Sequence, residues 1–391
     1  MFWKKKRTYL DYAAGASGNP SSPHEEGRMA KKMLEDARRD IARLLEVQSD
    51  DVIFTSGATE ANALAILGIA KAGDHVLYLS SSHASIVENM KLLGERSVEV
   101  EPLPIVDWRV DCEKLKKLLR PETKLVSMDA VCGETGVIWN TREVAEVLKK
   151  ARGSSDFLAP SGRIRMLQPV AEKITCSALL HVDASQAPMT EKITRAHFGA
   201  DMMTLDASKV GDPPAGGRSI GALIAHRTIQ LKPLYCGGGQ ERGLRSGSES
   251  PELAKKFATA LSAAALGREA FRARAARARA NLIEVITSSI PNVLVNEGHS
   301  QAPHILNLSL AGRDTDYLVA LLDEDGFAVS TRSACETDSE EGSRAVLALT
   351  GDVGRAKSTL RISCGPYVTD GELSRFAKAL AHAVAFIDNR G

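Results

Sequence analysis

Cysteine is scarce and scattered: six residues, at positions 112, 132, 176, 236, 335 and 364, with no CxxC spacing. That pattern indicates neither a disulfide framework nor a zinc site, so the thiols are expected to be reduced, in a cytoplasmic setting, and no metal site is expected. Charge of one sign is also missing. Lys plus Arg number 50 against 49 Asp plus Glu, a net charge of +1, which offers no electrostatic case for nucleic acid or a membrane surface. No stretch approaches the roughly 18 consecutive apolar residues of a membrane span. Met1–Arg7 is basic but has no apolar run behind it and is not read as a signal peptide. No internal repeat is visible.

What is present is ordinary globular material, 43% apolar and 25% charged. At 391 residues, the chain exceeds one typical domain, and two are expected, or one large α/β domain with an appendage. Short apolar runs at 51–55, 75–79, 124–128, 178–186, 200–206 and 221–224 alternate with helix-period segments such as 143–151. That order predicts a mostly parallel sheet covered by helices on both faces, with ligands at the carboxyl ends of its strands. After residue 250 the texture changes to a long Ala/Arg/Glu-rich helical stretch, Pro251 to Ile290. Strands around His304–Leu310 and Thr359–Ser363 and a final helix from Asp370 follow. The expectation is a large α/β domain over 15–249 and a smaller α+β domain over 250–391 together with 1–14. The segment Gly153 to Arg165 reads as a long peripheral loop.

The chemistry-bearing residues fall at strand ends. Ser208-Lys209 follows the 200–206 run, and Asp183 and Gln186 close the preceding one. An Asp, a Gln and a Lys on successive strand ends suit pyridoxal phosphate: a carboxylate for the pyridine nitrogen, an amide for the ring oxygen and an amine for the Schiff base. Thr55-Ser56-Gly57-Ala58-Thr59-Glu60 is a small-residue turn opening a helix, suited to a phosphate through free N–H groups, though an ordinary helix cap uses the same residues. His83 follows another strand, and suits ring stacking or acid/base work as well as a solvated loop. Gly237 to Ser248 is rich in glycine, arginine and hydroxyls and reads as an anion-contacting loop, an interdomain hinge, or both. Ser333-Ala334-Cys335 heads a polar run, where a thiol is exposed and able to react, while the other five cysteines lie mainly in apolar or mixed contexts. Arg361 is a charge inside a β-like run, needing either a substrate carboxylate or a structural partner.

In order along the chain, these motifs resemble the cysteine desulfurases of the class-V aminotransferase group, the NifS/IscS type. The collinear match runs from Tyr9–Ala14 and Gly18–Ser22 through the Thr55–Glu60 turn, His83, Asp183–Gln186, Lys209, Gly237–Ser248, Ser333–Cys335 and Arg361. The resemblance implies a fold type I pyridoxal 5'-phosphate homodimer that turns L-cysteine into L-alanine and leaves a persulfide on the enzyme. It makes Lys209 the Schiff-base lysine, Cys335 the sulfur acceptor and His83 the ring-stacking proton-transfer residue. It assigns cofactor contacts to Ala58, Thr59, Asp183, Gln186, Ser208 and, from a partner subunit, Ser248, with Arg361 on the substrate carboxylate. It also implies sulfur delivery to an iron–sulfur scaffold, to a sulfur-relay protein or to tRNA thiolation. A selenocysteine lyase, an aminotransferase or a non-catalytic partner protein of the same group are the alternatives. The chain departs from the family pattern at several points. Ser208 replaces a histidine, Asp206 a phosphate-binding serine, Cys132-Gly133-Glu134 an Asn-Asn-Glu turn, Gly211–Arg218 a Gly-Pro-Lys-Gly turn and Pro366 an arginine. A carboxylate at 206 repels a phosphate unless it turns away or pairs with a cation.

Overall fold

Burial on both faces explains why the middle strands are nearly unbroken apolar runs. The computed structural model describes residues 8–15, 18–152, 176–211, 219–331 and 342–389. Helix α1 (Glu25–Leu45) leads to strand β1 (Val52–Thr55), α2 (Ala58–Leu67), β2 (His75–Tyr78), α3 (Ala84–Glu95) and β3 (Glu99–Pro102). A small hairpin, β4 (Ile105–Val106) and β5 (Arg109–Val110), and α4 (Cys112–Leu118) precede β6 (Thr123–Asp129) and α5 (Thr141–Ala151). Then come β7 (Leu179–Asp183), α6 (Arg195–Phe198), β8 (Met202–Asp206) and β9 (Gly221–Ala225).

These strands form one seven-stranded sheet in the order β1-β9-β8-β7-β6-β2-β3. The run from β8 to β3 is parallel, and β9 alone runs antiparallel to its two neighbours. The mostly parallel sheet expected from the sequence is therefore present, and the antiparallel β9 is a refinement. The polar run Glu99–Pro102 was not anticipated as a strand, because an exposed edge strand lacks the apolar signature of the centre.

The carboxyl-terminal part begins with α7 (Pro251–Ser289) and β10 (Val293–Val295), followed by β11 (Ile305–Leu310) and α8 (Thr315–Glu324). It ends with α9 (Arg344–Thr350), α10 (Val353–Lys357), β12 (Thr359–Ser363) and α11 (Asp370–Asp388). Here β10, β11 and β12 make an antiparallel three-stranded sheet. Helix α7 serves two cores. Phe257, Ala258, Leu261 and Ala264, at helical spacing, pack in the core of the large sheet. Leu282 and Ile286, further along the same helix, pack with Leu308, Leu360 and Phe376 against the small one.

Inside the large sheet one polar ladder is buried. Ser127 Oγ lies 2.9 Å from His181 Nδ1, and His181 Nε2 lies 3.0 Å from Thr204 Oγ1. Burial depresses the His181 pKa to about 4, so the ring is neutral and serves as a strut between β6, β7 and β8.

Candidate active site

Side chains two apart on a strand share a face. Because Ser127, His181 and Thr204 meet on one face, Asp129, Asp183 and Asp206 continue that face to the carboxyl edge of the sheet. The turns after β1, β2, β6, β7 and β8 converge there around a cavity of about 270 Å³, lined by Ala58, Thr59, His83, Asp183, Gln186, Ser208, Lys209 and Arg361, among others. All the expected single-chain site residues except Cys335 are thus brought together. Cys335 lies outside the described residues, as do most of Gly211–Arg218 and the loop Gly153–Arg165.

Asp183 is held at both of its oxygens. Its Oδ2 accepts from Asn62 Nδ2 at 2.7 Å and its Oδ1 from the Ser185 N–H at 2.9 Å. The same Asn62 nitrogen donates its second hydrogen to Ser85 Oγ at 2.9 Å, and Ser85 Oγ lies 2.8 Å from His83 Nδ1. Nδ1 also accepts the Ser85 N–H at 3.2 Å, which makes His83 the N-cap of α3. A neutral His83 therefore carries its proton on Nε2, the nitrogen left for a ligand. Asn62 and Ser85 were not anticipated as site residues. A polar Asn one turn into α2, four residues after Ala58 and on the same helical face, was the available signal.

Asp129 is a second unanticipated member. It pairs in register with Asp183 across β6 and β7 and lines the same cavity. Burial first, and the neighbouring Asp183 charge second, push its carboxyl well above the usual carboxylate range. Cys132 also lines the cavity, yet burial, followed by the Asp129 and Glu134 charges, pushes its thiol up to about 12. That thiol is protonated at neutral pH and is a poor nucleophile.

Lys209 is exposed at the cavity, at the end of a single 3₁₀ turn, Ala207–Lys209. Asp206 caps that turn, its Oδ1 accepting the Ser208 N–H at 2.7 Å. Its Oδ2 accepts the N–H of Ala58, the first residue of α2, at 2.9 Å. The carboxylate pairs with no cation among the described residues. It sits on the helix N-terminus itself.

The small sheet closes the cavity from the other side. Half-buried Arg361, on β12, donates from Nη1 to the Gly133 carbonyl at 3.3 Å. Its backbone exchanges hydrogen bonds with Ser330, at 3.3 and 2.6 Å. Beside it, Ser343, the N-cap of α9, donates its hydroxyl to Glu134 Oε2 at 2.5 Å. Gly133 has a steric reason: a Cβ there would lie 3.2 Å from Gln186 Nε2. Ser248 is not part of this cavity within one chain; it lines a separate cleft with Thr55, Glu241 and Arg245. The Gly237–Ser248 segment is tied down there by a buried bidentate pair, Arg38 to Glu241 at 2.7 and 2.8 Å.

A carboxylate, a lysine and a histidine at the strand ends of the large sheet, faced by an arginine from the small one, are the site residues of an enzyme of the aminotransferase class-V family. The chain belongs to that family, whose model matches residues 6–155 and 161–376. Among its relatives is the cysteine desulfurase IscS 1 of Archaeoglobus fulgidus, 32% identical over 378 residues, covering 95% of this chain and 91% of that protein. The cysteine desulfurase IscS of Dictyoglomus turgidum is 28% identical, covering 95% and 92%. A solved NifS-like protein superposes with a TM-score of 0.81 at 25% identity, covering 96% of this chain and 93% of that one. This places the fold among the fold type I pyridoxal-phosphate transferases.

Proposed function

We propose that this chain is a pyridoxal-phosphate-dependent cysteine desulfurase that converts L-cysteine to L-alanine and receives the sulfur on Cys335. The observation that carries the reading is the convergence of Lys209, Asp183, His83, Gln186 and Arg361 on one cavity. The donor set fits the ring end of the cofactor. Asp183 offers a carboxylate that accepts a hydrogen bond at each oxygen for a pyridinium nitrogen, His83 a ring face, Gln186 an amide over the space left by Gly133, and Lys209 an amine for the aldehyde. Bound there, the cofactor would supply an electron sink that acidifies the Cα–H of an amino-acid substrate.

The remaining steps belong to the protein's own residues. Arg361, already oriented by Gly133, takes the substrate carboxylate as a bidentate partner. Lys209 Nζ receives the Cα proton, and His83, whose Nε2 carries the proton of the neutral ring, serves as a proton donor in the same transfer. The Asp183–Asn62–Ser85–His83 chain fixes the His83 ring while this happens. The Cys335 thiolate then attacks the substrate sulfur. A sulfur–sulfur bond forms, the sulfur–Cβ bond breaks with its electron pair going to carbon, and a proton delivered to Cβ completes alanine. Cys335 follows Ser330 by five residues, a reach of at most about 18 Å, and Ser330 is hydrogen-bonded to Arg361. Cys132 does not compete, because its thiol is held protonated.

Further parts of the reading are a large domain over 15–249 and a small one over 250–391 with 1–14. A homodimer places Ser248 of a second copy at the cofactor. The persulfide passes to an iron–sulfur scaffold or sulfur-relay protein in a reducing, cytoplasmic setting that suits the free thiols among the described residues. The test is purified protein given pyridoxal phosphate and L-cysteine. The parent chain is expected to show a visible absorption band and to release alanine and, with a thiol reductant, sulfide. Lys209→Ala is expected to lose the band, and Cys335→Ser to keep it while losing sulfide. A band without sulfide release in the parent chain contradicts the desulfurase reading.

A further inference from the structure

The phosphate end of the cavity already holds an anion belonging to the protein. A helix N-terminus presents unsatisfied N–H groups and the positive end of the helix dipole, which is why phosphates settle there. At α2 that position is taken by Asp206, whose Oδ2 accepts the Ala58 N–H at 2.9 Å. Gly57, at φ +151°, leaves the turn open beneath it, and a Cβ there would lie 3.4 Å from that oxygen. The same turn carries a second carboxylate, Glu60, whose Oε2 accepts the Ser56 N–H at 2.6 Å. Arg245 balances Glu60, its Nε 3.2 Å from Oε1. Asp206 forms no salt bridge among the described residues.

We propose that Asp206 is a resident anion in the phosphate seat, so that this chain binds pyridoxal phosphate with little advantage over unphosphorylated pyridoxal. The proposal rests on the cofactor reading above and makes Asp206 the residue that sets cofactor specificity. A phosphate reaching the Ala58 N–H must displace Asp206 and give up that hydrogen bond, or else sit against a carboxylate that no cation among the described residues balances. Either route removes much of the binding that a phosphate ordinarily gains from a helix N-terminus. The ring end, held through Asp183 and Lys209, is the same for both ligands.

The experiment titrates the apo form of the full chain with pyridoxal phosphate and, separately, with pyridoxal, following the visible band of the bound ligand. Parent, Asp206→Ser, Asp206→Asn and Lys209→Ala proteins are compared. Serine and asparagine can both still cap the 207–209 turn, so at least one variant is expected to retain the parent melting temperature. The parent is expected to bind the two ligands within about tenfold of each other. Asp206→Ser and Asp206→Asn are expected to tighten pyridoxal phosphate by about tenfold or more while moving pyridoxal by less than about threefold. A parent preference for the phosphorylated form of about a hundredfold or more, unchanged or reduced in folded Asp206 variants, overturns the proposal and leaves the cofactor reading intact. The absence of any Lys209-dependent band with either ligand in all proteins overturns the cofactor reading itself.

Discussion

The two ends of the cavity are built on opposite plans. At the ring end, Asp183 pairs with no cation among the described residues but accepts a hydrogen bond at each oxygen, from Asn62 and the Ser185 N–H, and is linked onward to His83. At the phosphate end, Asp206 satisfies the helix N-terminus and the following turn from within the chain. One end presents an acceptor waiting for a cation; the other presents an anion site already filled. Under the cofactor reading and the Asp206 proposal above, the difference teaches that one sheet edge can keep the chemistry for one half of a ligand while weakening its hold on the other. Lysine capture and proton control need the ring end, whereas the phosphate end contributes anchoring.

Breaking the ring end should have the largest effect. Asp183→Ala is expected to lower alanine formation by roughly 10²-fold or more, by analogy with the loss of a preorganised electrostatic partner, measured as initial rates at saturating cofactor. Asn62→Ala should follow, since it strips a buried carboxylate of a donor. A loss of about 1–3 kcal/mol in unfolding free energy is expected from denaturant titration of the apo chain. Asp129→Asn should act in the opposite direction. Asp129 has an ordinary value near 3.8 that burial and the Asp183 charge raise in the folded chain. Below that value both states are protonated; as pH rises the unfolded state ionises first, so stability is lost. The variant should therefore melt higher than the parent at neutral pH, with the gap closing as pH falls toward 4. Ser208→Ala should change least. Ser208 contributes its backbone N–H to Asp206 and its side chain is exposed, so the stability measured by denaturant titration should stay within about 0.5 kcal/mol of the parent.

The parts of this site legible in the sequence are those placed by strand ends. Lys209, Asp183, Gln186 and His83 each follow an apolar run, and a parallel sheet delivers such residues to one edge. Arg361 was legible because an arginine within a β run demands a partner, and its hydrogen bond to Gly133 shows how the small sheet presents it. Asn62, Ser85 and Asp129 were not, because their roles come from register and helix phase. Asp129 meets Asp183 only once β6 lies beside β7 in this alignment. The sequence also marked Asp206 as out of place, but not where its carboxylate would go, since the distance from Asp206 to Ala58 spans 148 residues of chain. The fold was clear wherever strands are buried on both faces and obscure at the polar edge strand β3.

The central claim is that sulfur leaves L-cysteine for Cys335 at a cavity organised by Lys209 and Asp183. It is tested most directly by incubating the cofactor-loaded chain with L-cysteine, without reductant, and locating the added sulfur by peptide mass spectrometry. The expected result is one extra sulfur atom on the peptide carrying Cys335, with alanine formed in equal amount and Cys132 unmodified. Alanine-free reaction mixtures with no persulfide on Cys335, or sulfur found on Cys132 instead, would contradict it.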